Sequence, residues 1–359
     1  MSAIPFAIVG AGWRAEFFLR IVRACPDQFS ITGMVVRNAE KGRAVEEKWG
    51  VRAFRSLDDL LSATAPRFVV TSVPGRANPE IIKDLVRRGV PALSETPPAL
   101  TLEAMVDLYE TVAKHNGKVQ VAEQYHLQPL HFARLACARS GRLGAISQAQ
   151  VSYAGAYHGV SLIRRFLGVR FEDAVIRSMI FKSPIVKGPD RKGPPAKEEI
   201  AADRPQALAW FDFGGRFGAL DFVGDQYFSW IRDKRMLIRG ERGEMTGDGV
   251  VYLKDYLTPV SLPFVRQVGG ADGNLEGNYL KGVQLGDEWL YRNPFAPAPL
   301  TDEELAIAGC LAAMDETART GKDFYSLAEA CQDQYLSLIA DKAAKTGETV
   351  RTQPQAWAG

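Results

Sequence analysis

Residues 4–12 read Ile-Pro-Phe-Ala-Ile-Val-Gly-Ala-Gly, and this stretch decides the fold. The short apolar run Ile4–Val9 predicts a buried strand, and Gly10 and Gly12 predict a tight turn after it. Apolar side chains then recur at helical spacing between residues 16 and 25. A strand, a glycine turn and a helix in this order begin an α/β unit whose turn faces a ligand crevice.

The turn matches the dinucleotide fingerprint GxGxxG/A with Gly10, Gly12 and the permitted small residue Ala15. A pyrophosphate must approach backbone amides at the start of a helix, where a Cβ atom would obstruct it and the helix dipole favours negative charge. Glycine turns of this kind also occur for packing reasons alone. The strands and helices that follow favour the dinucleotide reading.

Strands and helices alternate through the first third of the chain. The predicted elements are a strand at Ile31–Val36, a helix at Ala39–Trp49, a strand at Arg67–Val73, a helix at Pro79–Arg88, a strand at Pro91–Ser94, a helix at Leu102–His115 and a strand at Lys118–Val121. This alternation predicts a parallel doubly wound sheet, a Rossmann domain that we place over residues 1–124.

The second predicted strand ends in Val36-Arg37-Asn38. An acid at this place holds the adenosine ribose in NAD sites, whereas an arginine accommodates the 2′-phosphate of NADP. The sequence therefore predicts NAD or NADP as cofactor, with Arg37 favouring NADP or dual use. The alternative is that Arg37 stacks on adenine or lies in solvent.

The rest of the chain predicts a second domain and a helical end. Short strands separated by glycine turns between Ala145 and Lys254 indicate a largely antiparallel sheet in an α/β domain spanning residues 125–300. The biased stretch Ser183–Pro205 predicts a long surface loop. Two amphipathic helices, Glu303–Thr320 and Ser326–Thr346, fall in residues 301–359.

Composition excludes several classes of function. The 359 residues are 46% hydrophobic and 24% charged, as in ordinary globular proteins, and the net charge of +2 provides no global field for nucleic acid or an acidic membrane. No apolar run reaches the length of a membrane span, and the first residues do not read as a signal peptide. Four cysteines without close spacing argue against a disulfide framework or a metal site. We expect a cytoplasmic protein with a small-molecule partner and no metal.

Several short motifs, taken in order, resemble the Gfo/Idh/MocA family of glucose-fructose oxidoreductase, inositol dehydrogenase and rhizopine-catabolism proteins. They are Ile8-Val9-Gly10-Ala11-Gly12, Lys48-Trp49-Gly50-Val51, Thr71-Ser72-Val73-Pro74, Ser94-Glu95-Thr96-Pro97, Gly141-Arg142-Leu143-Gly144, and His158 followed by Leu162 to Gly168. The resemblance covers nearly the whole chain. It implies an N-terminal nicotinamide-binding domain, a C-terminal α/β domain with an open-faced sheet that forms the substrate site, C-terminal helices that pack on the first domain, sugar or polyol substrates, and a homo-oligomer, either a dimer or a tetramer.

One departure from the family pattern matters most. The family's Glu-Lys-Pro motif, whose lysine helps to move the proton of the reacting hydroxyl, reads Glu95-Thr96-Pro97 here. Threonine is neither a cationic acid nor a general base near neutral pH. Of the family's second signature, two aspartates around a histidine, only His158 is kept. The resemblance makes His158 the acid/base candidate, and the alternative is a packed histidine.

The resemblance and the fingerprint together give the candidate site residues. The catalytic candidates are His158, Tyr157, His126, Glu95 and Thr96, and the cofactor-binding candidates are Gly10, Ala11, Gly12, Trp13, Arg14, Arg37, Ser72, Val73, Pro74, Asn78, Glu95 and Gln124. The resemblance implies that Gln124 bonds the nicotinamide carboxamide or a ribose.

Three functions fit these residues. The first is an NAD(P)-dependent oxidoreductase that acts on a secondary hydroxyl or ketone of a sugar, polyol or sugar derivative. The second is an NAD-dependent glycosidase that works by transient oxidation and elimination, for which Tyr153, Tyr157 and His126 would be additional acid/base groups. The third is a sugar or dinucleotide sensor that has lost its chemistry, as the altered motif at Thr96 would allow.

Overall fold

The structure is a computed structural model that describes residues 3–191, 193, 194, 197–271 and 273–359. The elements of the first domain are β1 (Ile4–Val9), α1 (Ala15–Ala24), β2 (Phe29–Val35), α2 (Ala39–Trp49), β3 (Ala53–Phe54), α3 (Leu57–Ala63), β4 (Phe68–Thr71), α4 (Asn78–Arg87), β5 (Ala92–Ser94), α5 (Leu102–Lys114) and β6 (Val119–Val121). The strands are parallel, in the order β3-β2-β1-β4-β5-β6. The predicted doubly wound Rossmann sheet is confirmed.

The strand order of the sheet reverses direction between β1 and β4. The chain runs from β1 outward to β3 on one side and from β4 outward to β6 on the other, so a crevice opens at the carboxyl ends of β1 and β4. Gly10 is needed there, because it has φ +113° and a Cβ atom on it would lie 2.0 Å from the carbonyl oxygen of Ser72. The glycine thus lets the ends of the two central strands approach closely.

The remaining elements build the second domain and the C-terminal helices. They are α6 (Pro129–Arg139), β7 (Ile146–Ser152), α7 (Ala156–Leu167), β8 (Val175–Val186), β9 (Ala201–Asp212), β10 (Phe217–Val223), β11 (Arg235–Gly240), β12 (Gly243–Thr246), β13 (Gly249–Asp255), β14 (Thr258–Gly269), β15 (Tyr279–Leu285), β16 (Glu288–Arg292), α8 (Asp302–Thr320), α9 (Leu327–Thr346) and β17 (Val350–Arg351), with 3-10 turns at Tyr125–Leu127, Gly224–Tyr227 and Ala356–Ala358.

The strands of the second domain form one large mixed sheet. Their order is β16-β15-β14-β13-β12-β11-β7-β10-β9-β8-β17, and every pairing within the described residues is antiparallel except that of β7 with β10. Helices α6 and α7 contact this sheet, which agrees with the predicted α/β domain and its largely antiparallel sheet. Helix α8 contacts α1 of the first domain, and α9 contacts β6, α5 and α7.

The predicted loop Ser183–Pro205 is too long, and both of its predicted ends are wrong. Strands β8 and β9 pair without a break from Val175↔Asp212 to Val186↔Ala201, so the connection between them is confined to residues 187–200. Pro184 and Pro205 are tolerated because, at that end of the ladder, the two strands pair only with each other and a missing N–H leaves no neighbour unpaired. Residues 192, 195 and 196 of the predicted loop lie outside the described residues.

Candidate functional site

A cleft opens at the carboxyl ends of β1 and β4, and its volume is about 1330 Å³. The glycine turn forms one wall. A Cβ atom at Gly12 would meet nothing within 4 Å, so the backbone amides before α1 face open space, as a bound pyrophosphate requires. The residues present therefore fit a dinucleotide. Most predicted site residues line the cleft, namely Gly10, Ala11, Gly12, Trp13, Arg14, Arg37, Ser72, Val73, Pro74, Glu95, Thr96 and His158.

The adenosine end of the cleft, beside β2, carries cations. Arg37 and Lys41 are exposed and line it together with Asn38 and Arg55. Arg55 is committed to the backbone, since its Nη1 donates to the carbonyl oxygens of Val36 at 2.8 Å and Asn38 at 3.1 Å. Arg37 and Lys41 thus remain as the charged groups able to meet a phosphate at this end.

His158 lies in the cleft wall and is held from behind by Glu123. Helix α7 begins at Ala156 and places His158 in its first turn, while Glu123 follows the end of β6. The Nδ1 atom of His158 lies 2.6 Å from Oε2 of Glu123, and the Glu123 side chain is completely buried. The backbone N–H of Tyr125 donates to the other carboxylate oxygen at 3.1 Å. With Nδ1 engaged, Nε2 is the ring nitrogen left for a reacting group.

Electrostatics favour the charged form of this histidine. Burial lowers the pKa of His158, but the negative charge of Glu123 and its hydrogen bond outweigh burial and raise the pKa above its ordinary value. A histidine held by a buried carboxylate in this way can take up a proton and release it again. Sequence reasoning gave Glu123 no role. The signal available was its position directly after a parallel strand, at the edge where ligands bind.

A second polar cluster surrounds Arg14. Its Nη1 donates to Oε1 of Glu303 at 2.8 Å, and its Nε lies 3.5 Å from Oε2 of Glu95. Burial raises the pKa of Glu95, although Arg14 opposes this. Glu303 also accepts from Gln124 and Gln128, each at 2.9 Å. This cluster ties the glycine turn to helix α8, and nothing in the sequence around Glu303 indicated it.

Four predicted site residues lie behind the cleft wall. The hydroxyl of Tyr157, Nδ1 of His126 and Oε1 of Gln124 are buried with no hydrogen-bond partner among the described residues. Asn78 is also buried, and its Nδ2 donates to Oγ of Ser94 at 2.9 Å. None of these side chains is part of the described cleft wall, so the structure does not bring them into the cleft with the other predicted site residues.

The positions at which the chain departs from the family motifs are likewise divided between the cleft wall and the buried interior. Thr96 lines the cleft where the family carries its lysine. Ala154 and Ser161 stand where the family carries aspartates, and both are buried, with Oγ of Ser161 at 2.9 Å from the hydroxyl of Tyr325. Glu123 and His158 are thus the hydrogen-bonded histidine–carboxylate pair found at the described cleft wall.

Other kinds of site find no support among the described residues. No group of three or more potential metal ligands occurs there, and no described helix has the length and apolar character to cross a membrane. The cysteines Cys25, Cys137, Cys310 and Cys331 are free and buried.

A two-domain α/β protein with a dinucleotide cleft is the class that this fold and site define. Residues 4–123 match the family described as "Oxidoreductase family, NAD-binding Rossmann fold", whose model is named GFO_IDH_MocA. The N-terminal domain therefore matches the NAD-binding Rossmann domain of the Gfo/Idh/MocA family, which confirms the resemblance for this part of the chain.

Similar proteins agree with this assignment. The chain is 22% identical to the YteT protein of Bacillus subtilis (strain 168) over 170 residues, which are 44% of this chain and 40% of that protein, so the match spans less than half of the relative. An oxidoreductase from Agrobacterium radiobacter, solved with NAD+, L-tartaric acid and magnesium, superposes with TM-score 0.67 at 15% identity over 97% of this chain and 98% of that one. A myo-inositol dehydrogenase from Corynebacterium glutamicum gives TM-score 0.66 at 17% identity over 98% of this chain and 100% of that one. These structures show that the whole chain shares their fold.

Proposed function

We propose that this protein is an NAD(P)-dependent oxidoreductase that interconverts a secondary hydroxyl and a ketone on a sugar, polyol or sugar derivative. One observation carries the proposal: His158, held at 2.6 Å by the buried Glu123, lies in the wall of the dinucleotide cleft. A dehydrogenase needs a proton acceptor beside the nicotinamide, and this pair is the acceptor that the cleft offers.

The chain's own residues divide the work as follows. When bound, the cofactor would supply hydride transfer from the hydroxyl-bearing carbon, or to the ketone in the reverse direction. His158 takes the hydroxyl proton at Nε2 during oxidation and gives it back during reduction. Glu123 stabilises the imidazolium that forms, and Thr96 contributes no proton transfer. Proton transfer by a positioned base contributes about 10² to 10⁴-fold to the rate, so loss of the family lysine is compatible with catalysis.

The aromatic residues next to His158 bear on the class of substrate. The ring of Tyr125 lies 4.5 Å from that of His158, centroid to centroid, and the hydroxyl of Tyr227 accepts the N–H of Gly155 at 3.2 Å, just before α7. Tyr125 is as buried as His126, so the partly buried Tyr227 is the aromatic side chain that could meet a cyclic polyol. The solved myo-inositol dehydrogenase with the same fold supports this substrate class.

The two alternative functions rest on fewer observations. A glycosidase that eliminates after transient oxidation needs acid/base groups beyond His158. Of the predicted ones, Tyr157 and His126 are buried, and the partly buried Tyr153 is not part of the described cleft wall. A sensor has no need of the buried Glu123 behind a cleft histidine. We therefore favour the oxidoreductase, in the cytoplasm, where four free cysteines stay reduced.

One assay separates the three functions. Purified protein is mixed with free sugars, polyols or nitrophenyl glycosides and NAD or NADP, and reduced nicotinamide and nitrophenol are recorded together. We expect reduced nicotinamide to grow with a free sugar or polyol, and to be lost in a His158→Ala variant that still binds the nucleotide. Cofactor-dependent nitrophenol release without net reduction would establish the glycosidase instead. Nucleotide binding with neither product would establish the sensor.

A further inference from the structure

The second domain supplies a cation to the nucleotide cleft. Arg191 belongs to the connection between β8 and β9, yet it lines the same cleft as the glycine turn. Its guanidinium carbon lies 4.5 Å from the centroid of the Trp13 ring. Trp13 directly follows Gly12, so Arg191 lies beside the amides that face a pyrophosphate.

Trp13 is the platform that holds this arginine. Its side chain is 54% exposed, which core packing does not explain. Phe17 of α1 packs edge-on against the ring at 5.5 Å, and the guanidinium carbon of Arg14 lies 5.0 Å from the ring centroid. Stacking of guanidinium groups on tryptophan is a favourable and directional contact. The turn therefore carries an aromatic surface that orients two cations.

The two arginines differ in whether their charge is already matched. Arg14 is paired with Glu95 and Glu303. Arg191 forms no ion pair with any residue that the structure describes, so its charge is not compensated in the cleft wall. An arginine presents several N–H donors in one plane and suits phosphate oxygens in particular.

We propose that Arg191 binds the pyrophosphate of the dinucleotide, on the side opposite the amides at the start of α1, with Trp13 as its positioning residue. The nucleotide is then held by both domains and not by the Rossmann domain alone. This inference rests on the dinucleotide-binding part of the proposed function and is independent of the reaction catalysed.

The test measures binding of ADP-ribose by calorimetry, because this ligand has the pyrophosphate but neither the nicotinamide nor a substrate group. We expect Arg191→Ala to weaken binding about tenfold, which corresponds to about 1.4 kcal/mol. Lys197→Ala, an exposed cation of the same connection outside the described cleft wall, serves as matched control and should bind like the wild type. Thermal unfolding of both variants checks that they are folded.

Trp13 provides a second, independent measurement. If the ring positions Arg191, then Arg191→Ala should cost much less in a Trp13→Leu background than in the wild type. Wild-type affinity of Arg191→Ala for ADP-ribose would overturn the proposal, as would an equal loss in Lys197→Ala. A protein that binds ADP-ribose through Arg191 but oxidises no sugar would keep this inference and remove the proposed reaction.

Discussion

At the scale of single residues, the role proposed for the Glu123–His158 pair predicts how activity depends on pH. During oxidation His158 must be neutral, so the rate falls below its pKa. Glu123 raises that pKa by stabilising the imidazolium, although burial opposes this. In Glu123→Gln the pKa of His158 should fall, so the acidic limb of kcat/KM for oxidation should move to lower pH, while kcat also decreases.

Glu16→Gln is the matched control for this pH profile. Glu16 is an exposed carboxylate paired with Lys48 at 3.0 Å, away from the described cleft wall, and the limb should not move in this variant. A profile of Glu123→Gln that superposes on the wild type would show that another group gives the acidic limb. A loss of activity without any shift in pH dependence would reduce Glu123 to a packing role.

A second prediction at this scale concerns Arg37 and Lys41, which we expect to set the relative affinity for NAD and NADP. Both are exposed at the adenosine end of the cleft. We expect NADP to bind more tightly than NAD, and Arg37→Ala to weaken NADP about tenfold because a charge-assisted hydrogen bond is lost, with little change for NAD. Calorimetry with both nucleotides measures this. Equal weakening of both would instead indicate stacking of Arg37 on adenine.

The residues of the site were predictable where local sequence determines them. The glycine turn, Ser72, Glu95 and His158 each sit at a strand end or helix start that a motif marks, and they line the cleft. Arg191 and Glu303 come from segments that are far in sequence from the glycine turn. A local sequence pattern does not indicate which distant side chain reaches a cleft. The burial of Tyr157 was equally unpredictable, because a helix start beside a cleft presents one side to the ligand and the other to the core.

At the scale of elements, the helix that carries His158 is fixed by a buried ion pair. Arg164 of α7 lies 2.6 Å from Oδ1 of Asp333 on α9, and its side chain is only 2% exposed. The hydroxyl of Tyr325 donates to the other carboxylate oxygen. Asp333→Ala removes the fully buried carboxylate and leaves Arg164 with only the partly buried Glu329, 2.9 Å away, so we expect the free energy of unfolding to drop by about 3 kcal/mol. Urea denaturation measures the change.

An exposed ion pair supplies the comparison for that experiment. Glu244 pairs with Arg239 on the surface of the sheet, and Glu244→Ala should cost less than about 1 kcal/mol. If Asp333→Ala cost no more than this control, the buried pair would not be what fixes α7. The sequence predicted α9 from its amphipathic pattern, but not that Arg164 is buried against it, since a charged residue on a helix is ordinarily solvated.

The elements themselves were largely predictable, and their ends were less so. The strands β1, β2 and β4 follow from apolar runs bounded by glycine, proline or charged residues. Strands β8 and β9 extend into a segment rich in proline and charge, because pairing with each other over twelve residues outweighs the local preference. A short window of local sequence does not reveal such pairing, because the paired strand lies outside the window.

At the scale of the whole molecule, the large sheet leaves apolar side chains uncovered on one face. Met179 and Phe181 alternate along β8, and the pairing of Arg177 with Trp210 puts that tryptophan on the same face. Between 42% and 49% of each of these three side chains is exposed. An apolar patch of this kind usually marks a protein interface. We propose that a second copy of the chain covers it, giving a dimer or a tetramer built from dimers.

Light scattering after gel filtration tests this directly. The wild type should have at least twice the mass of the 39.4 kDa chain, and Trp210→Glu should shift it toward the monomer because a carboxylate would be buried without a partner. Leu275→Glu alters an equally apolar side chain that is 97% exposed in the connection between β14 and β15, and should leave the mass unchanged. A monomeric wild type would mean that the uncovered face serves another partner. Dissociation in both variants would place the interface elsewhere, because the effect would no longer be specific to the sheet.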